Sequence, residues 1–310
     1  MFRFTTAVIV IIFSLFVTSG CFGSNSTFDS NSKTPSTGFP KTVTDLAGFS
    51  FVINETPQNV LSISPAATEI LFAIGAGNSV VAIDSHSNFP NQTENLPKLG
   101  FQDVNTEVIM SYEPDFIITT GGHEDLTQQL RTLGITTVLL DGAVSINEIY
   151  LQISLLGEIM ALENNAQVLI TDMGKQISTI EKKLENVDNG PSVYFELDPG
   201  LWTVGSNSFI GELLSILKLR NIAANSATAY PQLNLESIVT ENPDIILLAD
   251  FQYGENSESV KTRPGWELIS AVQNNQILEI IDADIVSRPG PRVGNGLQLI
   301  AKLIYPDIFD

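Results

Sequence analysis

The chain of 310 residues has one cysteine, two histidines, two tryptophans, and 15 lysines and arginines against 35 aspartates and glutamates. Each shortage excludes something. A single cysteine permits no internal disulfide and no cysteine-rich metal cluster. The formal net charge of −20 repels phosphate backbones and anionic headgroups. With no basic patch to offset it, nucleic-acid binding and basic membrane-surface binding are ruled out. His123-Glu124-Asp125 lacks the second histidine of HExxH, and Gly75-Ala76-Gly77-Asn78-Ser79-Val80 lacks the third glycine of a dinucleotide fingerprint. Neither a phosphate loop nor a GxSxG elbow is present. No apolar run approaches the roughly 20 residues of a membrane-spanning helix. What is there, 43% hydrophobic and 16% charged residues, is the composition of a globular chain long enough for one large domain or two ordinary ones.

The N-terminus accounts for the cysteine. Arg3 precedes an apolar run from Ala7 to Val17, broken only by Ser14, and Thr18-Ser19-Gly20 leads into Cys21. A basic start, a short apolar core and small residues before the cut make residues 1–20 a secretory signal peptide. Ser19-Gly20-Cys21 resembles a lipobox, with Thr18 where leucine is usual. Cys21 is therefore expected to become the lipid-modified first residue, because Phe22 to Pro40 holds nothing to bury a thiol. Residues 21–57 are expected to be tether and lead-in, anchoring the folded part at the outer face of the cytoplasmic membrane.

Beyond residue 58, strands alternate with helices, which implies parallel sheets covered by helices, an α/β fold. Val60 to Ile63, Val80 to Ile83, Phe116 to Thr119 and Val138 to Leu140 read as strands. Thr68 to Ile74 reads as a helix with Glu69 in its first turn. The pattern resumes with Val193 to Phe195, Ile245 to Leu248 and Ile277 to Ile281.

An internal repeat divides the chain. Asn105-Thr106-Glu107-Val108-Ile109, followed by Pro114-Asp115-Phe116-Ile117-Ile118, is echoed 129 residues later by Asn234-Leu235-Glu236-Ser237-Ile238 and Pro243-Asp244-Ile245-Ile246-Leu247. Each unit is a short helix, a proline that ends it and a buried strand. Two similar lobes follow, 58–145 and 190–310, with a helical bridge at 146–189. Ser145-Ile146-Asn147-Glu148 reads as a capping box opening that bridge. A second helix runs from about Asn164 to Val187, a rod of about 30 Å. Such a rod is expected to restrict the relative motion of the lobes.

The run Val60-Leu61-Ser62-Ile63-Ser64-Pro65-Ala66-Ala67-Thr68-Glu69-Ile70-Leu71, the first Pro-Asp unit with Gly121-Gly122, Trp202-Thr203-Val204-Gly205, Arg263-Pro264-Gly265-Trp266, and Ser287-Arg288-Pro289-Gly290-Pro291-Arg292 carry a family likeness. In order and spacing they resemble the substrate-binding lipoproteins of ABC importers for cobalamin, iron-siderophores and haem, the class III periplasmic binding proteins. Within that family the likeness is nearest to the vitamin B12-binding members. The resemblance implies two Rossmann-like lobes joined by a long bridging α-helix, a ligand held between them, no catalysed reaction and no cofactor. It implies an ABC permease dimer with its ATPase as partner, with Glu107 and Glu236 as the docking carboxylates of the two lobes. For the ligand it implies His86, Phe101, Trp202 and Tyr230 at ring-binding positions, with Thr120 where a further aromatic is usual. Ser64 and Thr68 are expected as hydroxyl donors at a helix start or simply as its caps, and Arg288 as a contact to ligand amides, to an anionic siderophore or to its own loop. The ligand is expected to be a corrinoid. A ferric siderophore, or haem ligated by His86, is the alternative, and a surface enzyme built on carboxylates alone is a third reading.

Overall fold

The computed structural model describes residues 38–101 and 104–309. The signal peptide, Cys21 and the tether as far as residue 37 lie outside them. Among the described residues no helix is long and apolar enough to cross a membrane.

An antiparallel hairpin comes first, β1 (Lys41–Thr44) with β2 (Ser50–Ile53). Residues read as lead-in are thus folded. Asp45 closes the turn by accepting the N–H groups of Ala47 and Phe49, and Gly48 supplies the left-handed φ of +86° that the turn requires. Arg131 pins the turn to the lobe: it donates to Asp45 Oδ2 at 2.8 Å, and its guanidinium lies 3.7 Å from the centre of the Phe49 ring.

Two all-parallel sheets follow. The first has the order β5-β4-β3-β6-β7, from β3 (Val60–Ser62), β4 (Val80–Asp84), β5 (Lys98–Leu99), β6 (Phe116–Thr119) and β7 (Thr136–Leu139). The second has the order β11-β10-β8-β9, from β8 (Ser192–Glu196), β9 (Arg220–Asn221), β10 (Ile245–Leu248) and β11 (Ile277–Glu279). Four strands of each sheet share one topology, in which β8 answers to β3, β9 to β4, β10 to β6 and β11 to β7. Every residue of β3, β6, β8 and β10 is buried, as strands covered on both faces must be.

The Pro-Asp repeat acquires a structural meaning here. Asp115 accepts the N–H groups of Gln58 and Asn59, just before β3, and its own N–H donates to Asn59 O. Asp244 does the same for Ser192, the first residue of β8, and also takes the Ser192 hydroxyl. In each lobe one aspartate ties the central pair of strands in register.

Helix α1 (Pro65–Ala73) begins three residues earlier than the sequence suggests, with Pro65 in its first turn and Ser64 as N-cap. That places Glu69 in mid-helix rather than in the first turn. Helices α2 (Thr106–Met110) and α3 (Glu124–Thr132) complete the first lobe. Helices α4 (Ile146–Ile159) and α5 (Glu163–Lys183) form the bridge. Gly157 lets them close on each other, since a Cβ there would lie 2.5 Å from that of Ala166. The capping box at α4 is only half formed. Ser145 accepts from Glu148 N, but Glu148 reaches past the cap to the N–H of Val144, and the Ile146 N–H is taken by Glu212 of α6 (Phe209–Ile216). The second lobe continues with α7 (Leu235–Glu241), α8 (Ser257–Lys261), α9 (Ser270–Gln273), α10 (Asp284–Ser287), α11 (Val293–Ile304) and α12 (Pro306–Phe309). One apolar cluster runs from β3 and α1 through α4 and α5 to β8, α6 and α11, so the lobes share a continuous core.

Candidate ligand cleft

In parallel α/β sheets, ligands gather beyond the carboxyl ends of the strands. The first sheet directs Ser64, His86, Thr120 and the Leu140-Asp141-Gly142 loop there, and they line an open cavity of about 220 Å³ together with Phe101. The second lobe closes it with Ser287, Arg288 and Pro289. The wall is largely apolar and aromatic, the character of a small-molecule site.

The aromatic wall is ordered by edge-on contacts. The His86 ring meets Phe101 at 5.2 Å between centres and 75°, and Phe101 meets His123 at 5.1 Å and 88°. His123 Nε2–H donates to the Phe101 carbonyl at 2.7 Å, so this histidine, which the sequence reading only excluded as a metal ligand, positions the Phe101 backbone. His86 is exposed, and no hydrogen bond engages its imidazole among the described residues.

Thr68 is not available to a ligand. It is wholly buried, donates to Ser62 Oγ at 2.9 Å and lies 3.0 Å from Ser87 Oγ. Ser87 in turn donates to Asp84, whose Oδ1 accepts the N–H of His86 at 2.7 Å. Thr68 therefore supports the loop that carries His86 instead of meeting the ligand itself. The Ser64 side chain is committed as an N-cap, accepting from Ala67 N.

Arg288 is committed as well. Its guanidinium donates to Asp284 at 2.6 Å, Asn88 Oδ1 at 2.7 Å, the His86 carbonyl at 2.9 Å and Glu69 at 3.3 Å. Arg292 meets the same Glu69 through a two-pronged contact of 2.7 and 2.8 Å, and Asn88 donates to Asp284 at 3.0 Å. Glu69 and Asn88 belong to the first lobe and both arginines to the second, so the cluster clamps the lobes together. The hydrogen bonds from Glu69 hold the Arg292 guanidinium above its ordinary pKa. A lone glutamate within the apolar run of α1, and two arginines on either side of Pro289-Gly290-Pro291, were the available sequence signals.

Trp202 and Tyr230 stand apart from the cavity lining. They lie on adjoining loops of the second lobe, joined through Thr203 N to Pro231 O, with 41% and 49% of their surfaces exposed. Glu107 and Glu236 are exposed in the first turns of α2 and α7, whose N-caps are Asn105 and Asn234. Because α2 leads into β6 and α7 into β10, the two carboxylates occupy corresponding places in the lobes.

A buried acidic pair lies at the strand ends of the second lobe. Glu196 at the end of β8 receives both prongs of Arg263, at 2.8 and 2.6 Å, while both oxygens of the buried Asp250 after β10 have no partner. Burial first, and then the Glu196 charge, push the Asp250 acid up to about 7.

This architecture has relatives. Residues 60–283 match the family described as periplasmic binding protein. The chain belongs to that family. The ABC transporter substrate-binding lipoprotein YvrC of Bacillus subtilis, itself uncharacterized, is 32% identical over 299 residues, 94% of each chain. A possible iron-binding periplasmic solute-binding protein from Staphylococcus epidermidis superposes with a TM-score of 0.72 at 26% identity, over 81% of this chain and all of that one. The periplasmic vitamin B12 binding protein BtuF of Vibrio cholerae gives 0.69 at 25% identity, over 80% and 96%. This periplasmic binding protein is thus a solute carrier of the ABC-importer type and not an enzyme.

Proposed function

We propose that this periplasmic binding protein is an extracytoplasmic receptor, lipid-anchored through Cys21, that takes a corrinoid between its lobes and delivers it to an ABC permease and its ATPase. The observation that carries the choice of ligand is the commitment of Arg288. It is the only cation lining the cavity among the described residues, and Glu69, Asp284, Asn88 and the His86 carbonyl use its donors. An anionic siderophore would meet no free positive charge, whereas a large ring carrying neutral amides needs apolar area, which His86, Phe101, Leu140 and Pro289 offer. The likeness to the vitamin B12 binding protein of Vibrio cholerae supports the same choice. Haem is the second reading, favoured by the unengaged His86 imidazole.

The chain lacking residues 1–21, titrated with cyanocobalamin, haemin and a ferric hydroxamate, is expected to bind cyanocobalamin one to one with Kd below about 1 μM. Haemin binding with a Soret shift that His86→Ala abolishes, in the absence of cyanocobalamin binding, would transfer the reading to haem. Binding of none of the three removes it.

Glu107 and Glu236 are proposed as the contacts to permease arginines. Exposed ion pairs contribute only about 0.2 to 1 kcal/mol each, so they set register and encounter rate more than affinity. Reversing both to arginine is expected to cut corrinoid uptake by at least about tenfold, with ligand affinity unchanged. Uptake at the wild-type rate would exclude them as docking points.

A further inference from the structure

A second chamber of about 310 Å³ adjoins the first, and the two share Asp141, Gly142 and Gln152 as a common wall. Its far side is built by Leu46 and Ala47 of the hairpin turn and by Glu148 and Leu151 of α4. This wall is a fixed one, because Arg131 and Asp45 bind the turn to the lobe and Ser145 caps α4.

The junction between the chambers has a definite chemistry. The Asp141 main chain is held by Gln152 Nε2, which donates to its carbonyl at 2.6 Å, while its exposed carboxylate has no hydrogen-bond partner among the described residues. Gly121 leaves room for that carboxylate, since a Cβ there would lie 3.1 Å from Oδ1. Glu148 adds a second carboxylate to the far chamber, and neither lysine nor arginine lines it. Ionised carboxylates only accept hydrogen bonds. The occupant must therefore bring donors and carry no negative charge at this point, because like charges brought close with nothing to neutralise them repel.

We propose that the two chambers form one bipartite site, in which an edge of the ligand's ring body occupies the first, open towards the cleft, and a carboxamide-bearing arm of the same molecule passes Asp141 into the second. The proposal rests on the corrinoid reading and adds a rule of specificity: an amide arm is accepted and a carboxylate arm is refused.

The test compares cyanocobalamin with its monocarboxylic acids, in each of which one peripheral carboxamide has become a carboxylate. For the wild-type chain without residues 1–21, at least one acid is expected to bind about tenfold or more weakly than the amide. Asp141→Asn is expected to bring that ratio close to one. Ala47→Trp, which fills the second chamber from an exposed turn, is expected to weaken cyanocobalamin itself by about tenfold, with an unchanged unfolding midpoint as the control. Equal affinity of every acid and the amide for the wild type, an unaltered ratio in Asp141→Asn, or wild-type affinity in Ala47→Trp would each overturn the two-chamber site and leave corrinoid binding standing. Absence of cyanocobalamin binding by the wild type removes the corrinoid reading, and the two-chamber site with it.

Discussion

Replacing Glu69 with alanine is expected to destabilise the folded chain by about 3 to 5 kcal/mol. The Glu69 carboxylate is 3% exposed and neutralises two guanidiniums whose side chains are only 12% and 16% exposed. Truncation leaves both arginines in a poorly solvated place with one carboxylate fewer. Arg288 retains Asp284, whereas Arg292 is left with a distant Asp282, at 3.9 Å, and the Phe89 ring, 4.2 Å from its guanidinium. Because the clamp joins the lobes, the loss is expected to extend to the alignment of the cavity walls that His86 and Arg288 form, and so to ligand affinity. Removing Glu69, Arg288 and Arg292 together should cost less than the sum of the separate truncations, since no unpaired charge is then left behind. Urea unfolding measures both quantities. A Glu69→Ala loss below about 1 kcal/mol, the range of an exposed pair, would show that the clamp contributes little.

The Asp250→Asn chain is expected to be more stable than the wild type at pH 8, with the difference disappearing near pH 4. In the unfolded chain this acid has its ordinary pKa near 3.9, and in the folded chain it is pushed up to about 7. Between those values the folded form holds a proton that the unfolded form has released. Raising the pH through that window therefore withdraws stability, by up to about 1.4 kcal/mol per pH unit. Below the unfolded value both forms are protonated, and the contribution is fully present. Asparagine keeps the shape, cannot ionise, and offers Glu196 a donor, so it removes this slope. Arg263, held to Glu196 and Glu255, is the neighbouring cation, and Tyr194, whose buried hydroxyl lacks a partner, faces the same cluster. Unfolding free energies at pH 4 to 8 decide the matter: a mutant with the same pH slope as the wild type would exclude Asp250 as its source.

Much of the fold was legible because it is written in local patterns. Short runs such as Phe116-Ile117-Ile118 and Ile245-Ile246-Leu247 are buried on both faces and so are apolar without alternation, which is the mark of parallel strands. The two Pro-Asp units recur because each lobe solves the same problem, fastening one central strand to the next through a carboxylate. Errors arose where a local signal had more than one partner to choose from. Glu148 stands at the capping-box spacing from Ser145 yet takes the N–H of Val144, and Glu212 of α6, 66 residues away, takes the Ile146 N–H. Thr68 stands at a helix start like a ligand donor but faces Ser62 and Ser87 in the interior. The hairpin of residues 41–53 follows a polar tether, and each of its strands is only four residues long. Its attachment depends on Arg131, about 80 residues further along the chain.

The sequence by itself determined the two-lobed α/β plan, the correspondence between the lobes, the helical bridge and the lack of the common catalytic motifs. These follow from periodicity, turn chemistry and the order of short segments, each of which acts within a few residues. Only the tertiary structure decided what the charged groups do. Arg288 read as a contact to ligand amides or an anionic siderophore, or as a pin of its own loop, and it proved to be held by Glu69, 219 residues away, together with Asn88 and Asp284. Asp141, which the sequence did not single out, emerged as the unpaired carboxylate between the two chambers. The pairing of a charge depends on which surfaces meet when the lobes dock, and no spacing along the chain records that.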